Sequence, residues 1–308
     1  MARFAEMRTM DIWYARVSAQ DLLDALSAAA SSSKGADKKL AEKVRKNTAK
    51  GAQKAHTRDS LQALSKLAEQ VDGEYRIVSQ PPVVVPVREL AGMHGYSVEN
   101  LQQIIHDQFR AYRATLTDDR RRLLERFQVV DVARKVVGVG SVGTRAFIVL
   151  LQGRDAQDPL FLQVKEASAS VLEDHLPKSE YDQPGERVVQ GQRLMQAASD
   201  IYLGWTKGAE DNRYLYWRQL RDMKGSAVVE TMAPPTLALY GRVCGDSLAR
   251  AHARSGDPVA IASYLGTKAS FDQSIADFAE RYADQNERDY TAFRDAIRSH
   301  RLEALEGV

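Results

Sequence analysis

Apolar residues recur at helical spacing along the first part of this chain. Leu22, Leu23 and Leu26 share one face of a segment predicted helical over Ala19–Ala30, with Ser18 placed to cap it. The pattern breaks over Ser31–Gly35. Leu61, Leu64, Leu67 and Ala68 predict another amphipathic helix over Arg58–Val71. Glu74–Val87 is expected to be extended, and Pro81, Pro82 and Pro86 exclude a helix or a central strand there, because proline has no N–H to donate. Ser97 opens a helix carrying Leu101, Ile104, Ile105 and Phe109. Thr117 caps a shorter one that ends near Phe127, with Leu123, Leu124 and Phe127 inward.

The period changes at Val129. Val129–Val137, Arg145–Leu151 and Leu160–Val164 are β-branched or apolar runs separated by glycine or polar turns, and they read as strands. A helix is expected within Pro184–Ser199. Two further strands, Ile201–Trp205 and Tyr214–Leu220, flank the polar turn Lys207–Asn212. Beyond Gly225 the pattern is helical again, over Leu237–Ala253 and Phe271–Ile297, with Phe271, Ile275, Phe278 and Tyr282 expected as a buried stripe. No internal repeat is visible. The expectation is an α+β fold in three regions: helices over 1–128, a five-stranded antiparallel sheet with one helix over 129–226, and helices over 227–308.

Composition narrows the function classes. Of 308 residues, 44% are hydrophobic and 27% charged, as in a chain that buries a core. The net charge of +2 sets up no field that commits the protein to nucleic acid or an anionic membrane. Lys34–Arg58 holds nine Lys or Arg against Asp37 and Glu42. A solvated helical face explains that run; a contact for an acidic partner is the alternative. No aromatic residue interleaves the basic ones, so base stacking has no support and a nucleic-acid partner is not expected. The lone Cys244 fits a reducing compartment. Met1–Trp13 lacks the apolar core of a signal peptide, and runs such as Ala146–Leu151 are too short to span a bilayer. A cytoplasmic protein without a membrane partner is the expectation.

The residues suited to chemistry begin at G-V-G-S-V-G, with Gly138, Gly140, Ser141 and Gly143. Glycines admit unusual dihedrals and let backbone N–H groups approach phosphate closely. A dinucleotide-binding turn would lead into a helix. Here T-R-A-F-I-V-L-L follows, a strand by propensity, so the glycines sit in a hairpin, as in the glycine-rich loop of protein kinases. An ordinary glycine-rich hairpin is the alternative. Lys165 ends the adjoining run L-F-L-Q-V-K, where a lysine can reach phosphates if a carboxylate holds it. Glu173, the first choice, and Glu186 are candidates for that carboxylate. The alternative for Lys165 is a strand-end lysine snorkelling to solvent. Gln219, Leu220 and Arg221 follow the last strand, where a hinge contacting adenine would lie. Asp246, His252 and Asp257 are the candidates for a catalytic group, but Pro258 follows Asp257 and no Asn occurs in the next ten residues, as a metal-binding catalytic loop would need. Cys244 has no base at a readable spacing and is expected to be a core residue.

The stretches D-V-A-R-K-V-V-G-V-G-S-V-G-T-R, F-L-Q-V-K-E-A, G-E-R-V-V-Q-G-Q-R-L-M-Q-A-A-S-D, R-Q-L-R-D-M-K-G-S and L-A-R-A-H-A-R-S-G-D, in this order, resemble the bacterial family known as domain of unknown function 2252 (DUF2252). M-R-T-M-D-I-W-Y and F-A-E-R-Y-A-D-Q-N-E-R-D-Y extend the resemblance over nearly the whole chain. It implies a protein-kinase-like fold, circularly permuted, that binds ATP. Members of the family carry, ahead of the part matched here, a G-D-x-H-x-x-N-F-G segment and a D-F-D-type acidic segment, and this sequence contains neither. The resemblance therefore implies the family's C-terminal two-thirds, inactive by itself, with Mg2+ bound only when the missing segment is supplied. A truncated frame, a degenerate binder or a split protein with an upstream-encoded partner chain would each account for that. A non-catalytic interaction module of pseudokinase type, docking through Lys34–Arg58, is a second reading. A dinucleotide-dependent oxidoreductase is a third, and it requires a helix after Gly143.

Overall fold

The computed structural model describes residues 1–32, 35–56, 60–94, 97–136, 143–209, 213–220 and 227–304. In chain order, helices α1 (Ala2–Ala5), α2 (Thr9–Tyr14), α3 (Ala19–Ser32), α4 (Gly35–His56) and α5 (Ser60–Leu67) lead into strands β1 (Ala68–Val71) and β2 (Glu74–Ile77). Next come β3 (Val84–Pro86), α6 (Val87–His94), α7 (Val98–Ala114) and α8 (Asp118–Leu124). Strands β4 (Gln128–Lys135), β5 (Ala146–Gln152) and β6 (Pro159–Ala167) precede α9 (Pro184–Met195), β7 (Gly204–Lys207) and β8 (Tyr214–Gln219). Helices α10 (Pro234–Ser255), α11 (Pro258–Leu265) and α12 (Ser270–Arg298) close the chain. The α+β expectation holds.

The main sheet has six antiparallel strands rather than five, in the order β3-β4-β5-β6-β8-β7. The extra strand is β3, from the proline-rich segment; β4 is its one neighbour in the sheet, and Val84 also bridges Gln80 across the preceding turn. Pro86 can sit there because an edge strand leaves one row of backbone groups without a ladder partner. A second correction is the separate hairpin of β1 and β2, where the periodicity predicts that the helix continues to Val71. Asp72 and Gly73 form its turn with φ of 52° and 87°, the left-handed pair that a tight hairpin turn requires. β7 starts at Gly204, three residues after the predicted Ile201, because the chain turns at Asp200, whose Oδ1 and carbonyl oxygen accept from Tyr202 N and Leu203 N.

Both faces of the central strands are covered, which explains their unbroken apolar runs. Leu160, Leu162 and Val164 of β6 meet Tyr112 and Phe109 of α7, Leu124 of α8 and Trp217 of β8. Phe161 points the other way, into a core with Ala63, Leu64 and Leu67 of α5, Ile77 of β2 and Ile148 and Leu150 of β5. Asp131 joins the two sheets. Its Oδ2 accepts from Arg88 and from Ile77 N at 2.8 Å, and its Oδ1 accepts from Val132 N at 2.9 Å.

α3 and α4 pack against each other, and Lys39, Lys43, Arg45, Lys46 and Lys50 lie exposed on α4 as a solvated face. The last helix departs from expectation. Phe271, Ile275, Phe278 and Tyr282 are not buried but 39%, 53%, 56% and 59% exposed. Helical periodicity specifies a stripe but not a neighbour to cover it, and within α12 only Ala296 is buried. Cys244 is half-buried on α10, one turn after Tyr240.

Tyr112 is fully buried and donates its hydroxyl to Tyr202 O at 2.6 Å. Burial first, and the nearby Asp200 carboxylate second, push its phenol well above the ordinary value of 10.0. The unfolded chain would release this proton near pH 10 while the folded chain retains it. Stability from the neutral phenol is therefore complete below about pH 10 and is lost as pH rises through the folded value. Urea unfolding from about pH 9 to about pH 11 should show stability falling, and less steeply in Tyr112→Phe. Burial also raises Tyr202 and Tyr216, so a residual slope is expected in the variant.

Candidate nucleotide-binding site

Strand alternation sorts the polar residues of the sheet onto its two faces. Ala146 pairs with Lys165, Lys165 with Tyr216, and Tyr216 with Trp205, so these four residues form one row across β5, β6, β8 and β7. Their side chains share a face with Gln163 and Phe161. Gly143, in the turn that leads into β5, has φ 89°, and a side chain there would meet nothing within 4 Å. The backbone at this position is thus open to approach. Gly138, Gly140 and Ser141 lie outside the described residues. The chain after Gly143 continues into β5 and not into a helix, which removes the arrangement a dinucleotide-binding turn needs.

α9 approaches the same row from above. A Cβ on Gly185 would stand 2.4 Å from the carbonyl oxygen of Leu215 and 3.1 Å from the Cβ of Trp205, so the first turn of α9 rests directly on β7 and β8. That contact brings the half-buried Glu186 onto the Lys165 side of the sheet. Arg193, two turns on, donates to Leu203 O at 2.6 Å and lies over the Trp205 ring. Burial lowers its guanidinium from the usual arginine range, while Tyr112 and Glu186 favour its charge.

Glu173 has a different task. It forms a capping box with Ser170: its carboxylate accepts from Ser170 N at 3.4 Å, and the Ser170 hydroxyl accepts from Leu172 N at 3.3 Å. The packing of α9 thus puts Glu186 over the same face as Lys165, while Glu173 is engaged in its own cap.

Gln219 pairs with Leu162, three residues along β6 from Lys165, a span of about 10 Å at strand rise. Both backbone donors at this position are in use. Gln219 N donates to Asp200 Oδ2 at 2.6 Å, and Leu220 N donates to Phe161 O at 2.9 Å. Arg221 lies outside the described residues.

The candidates for a catalytic group are not gathered into one cluster. Asp246 pairs with Arg3 at 2.5 Å. Asp257 caps α11, accepting from Val259 N at 2.8 Å and Ala260 N at 3.1 Å. His252 is exposed on α10. Among the described residues no three His, Cys, Asp or Glu side chains converge as metal ligands.

Residues not foreseen from the sequence complete the neighbourhood. Gln163, buried beside Lys165, accepts from Arg218 Nε at 3.1 Å. Asp200 holds both Gln219 N and Tyr202 N. On the opposite face, Glu166 takes Arg213 Nη1 at 2.8 Å and Arg145 N at 3.0 Å, tying β8 to the base of the glycine turn. The adjacency of Lys165 and Glu166 in a strand was the available signal, since alternation sends them to opposite faces.

The model of a family described as an uncharacterized protein conserved in bacteria (DUF2252) matches residues 1–296. No curated protein and no solved structure matches the chain. No helix among the described residues is long and apolar enough to cross a membrane.

Proposed function

We propose that this chain, which belongs to the DUF2252 family, binds a nucleoside triphosphate, ATP, through a protein-kinase-like lobe made of β4 to β8 and α9. The observation that carries the reading is the row containing Lys165, with the strand of the glycine turn on one side and α9 with Glu186 on the other. Chain order supports it. A hairpin with glycines at its turn, a third strand bearing a lysine, a helix bearing a glutamate and two more strands follow one another as in a kinase small lobe. The five strands also lie in the spatial order first, second, third, fifth, fourth, the arrangement of such a lobe. Fold analogy supports binding more than catalysis, because the site decides chemistry. Lys165 would neutralise phosphate charge and Glu186 would hold it in position. Phosphoryl transfer would require the acidic segments that this sequence does not contain.

At a ligand concentration about one hundred times Kd, binding should stabilise the folded chain by about 2.7 kcal/mol, seen as a rise in Tm on adding ATP with magnesium. Lys165→Ala is expected to lose most of that rise while melting normally without ligand. Gly140→Val should do likewise by blocking approach to phosphate. Identical ATP responses in the natural chain and Lys165→Ala would exclude the phosphate assignment. The exposed stripe on α12 favours a second reading, a non-catalytic interaction module, and the complete absence of a nucleotide response would leave that reading in its place.

A further inference from the structure

On the face of the sheet away from Lys165, α7 is propped off the strands by aromatic rings. Phe109 and Tyr112, in its C-terminal half, both pack on Trp217 of β8, with ring centroids 6.4 Å and 4.5 Å apart. Toward the N-terminus the residues turned to the sheet are Leu101, Ile104 and Ile105, all aliphatic and all only half-buried. These shorter side chains do not fill the space that the rings hold open. What remains is a pocket of about 250 Å³, with Phe147 and Val149 of β5 across from the helix.

The few polar groups of the pocket are already engaged within the protein. Gln108 Nε2 donates to Lys207 O at 3.0 Å, and Arg213 Nη1 meets Glu166 Oε1 at 2.8 Å. Arg145, at the same end, is not free either, and its backbone N–H donates to Glu166 at 3.0 Å. A charged ligand would therefore lose hydration without gaining an unengaged partner. Water fares no better against the aliphatic walls, because a confined water needs two to four polar partners. Left empty, the walls forfeit the dispersion contacts that close packing would give.

We propose that this pocket binds a small neutral molecule of hydrocarbon character, with no ionised group. Its size is about ten carbon atoms, since a dry cavity of about 150 Å³ accommodates benzene. The molecule lies between Ile104 and Ile105 on one side and Phe147 and Val149 on the other. This inference concerns the opposite face from the nucleotide reading and is independent of it.

The probes are naphthalene, toluene, 2-naphthoate and 2-naphthylmethylamine, each titrated into the full chain by calorimetry at neutral pH. Naphthalene should bind. Toluene should bind about tenfold more weakly, because it covers less of the wall. The carboxylate and the ammonium should each bind at least about tenfold more weakly, because neither finds a free counter-charge. In methyl-labelled protein, nuclear Overhauser contacts should run from the naphthalene ring to Ile104, Ile105 and Val149. Ile104→Trp should fill the space and abolish binding with the thermal melt retained; if that variant melts early, the Overhauser contacts in the natural chain decide the location alone. Absence of naphthalene binding, contacts to none of the three methyl residues, or undiminished binding in a folded Ile104→Trp would overturn the site. Either charged probe binding as tightly as naphthalene would overturn the neutral class, and toluene doing so would overturn the size. Sedimentation should show the same species with and without naphthalene; a dimer that dissociates as naphthalene is added would give the pocket to a second copy of the chain and overturn the small-molecule assignment.

Discussion

Tyr112→Ala is expected to lower the free energy of unfolding by about 3 to 5 kcal/mol, the range for removing a large aromatic side chain from a packed interior. The ring is 0% exposed and stacks on Trp217 with centroids 4.5 Å apart and planes 8° from parallel. Its hydroxyl also ties α7 to Tyr202, ahead of β7. Tyr112→Phe keeps the stack and loses only the hydrogen bond, which should cost about 1 kcal/mol. Urea unfolding of both variants at neutral pH checks the pair. A loss in Tyr112→Ala no larger than in Tyr112→Phe would mean that the ring is not what joins α7 to the sheet.

Gly185→Val should cost about 3 kcal/mol, near the top of the usual range for overpacking. The obstacle is a backbone oxygen, that of Leu215, at 2.4 Å from the added Cβ, and a carbonyl in a paired strand cannot turn aside as a side chain can. α9 must therefore lift from β7 and β8 and carry Glu186 with it. If the proposed nucleotide site is right, ATP affinity falls in this variant even under conditions where the protein stays folded. Unchanged stability would show that the helix does not rest on the strand as closely as described.

Much of this arrangement was legible from residue order alone. Alternation in F-L-Q-V-K-E-A predicts a two-faced strand, and Phe161 and Leu162 do enter different cores. The strand after Gly143 and the helix after Pro184 also follow from local pattern. What the pattern could not supply was the choice among tertiary partners. Glu173 and Glu186 look alike as helix glutamates, and only the capping box on Ser170 and the seating of Gly185 separate them. Asp257 is a candidate for chemistry by residue type, but an aspartate just before Pro258 is also a helix cap by the usual signals, and the cap is the role it fills. The Asp72–Gly73 turn carried a hairpin signal that the helical period of the preceding leucines overrode. The α12 stripe failed for a different reason: amphipathy describes one helix, whereas burial needs two.

The outer strands of the main sheet have a consequence for self-association. β3 and β7 are three and four residues long, against seven and nine for β5 and β6 inside them. An exposed edge recruits other chains through its unpaired N–H and C=O groups, in proportion to how much flat, extended backbone it offers. Here each edge offers less than a typical strand, and Pro86 interrupts one of them with a residue that cannot donate. The runs most prone to form fibrils, A-F-I-V-L-L and L-F-L-Q-V, lie inside the sheet, where β4, β8 and each other take both of their edges, so the rim that another chain meets consists of short strands.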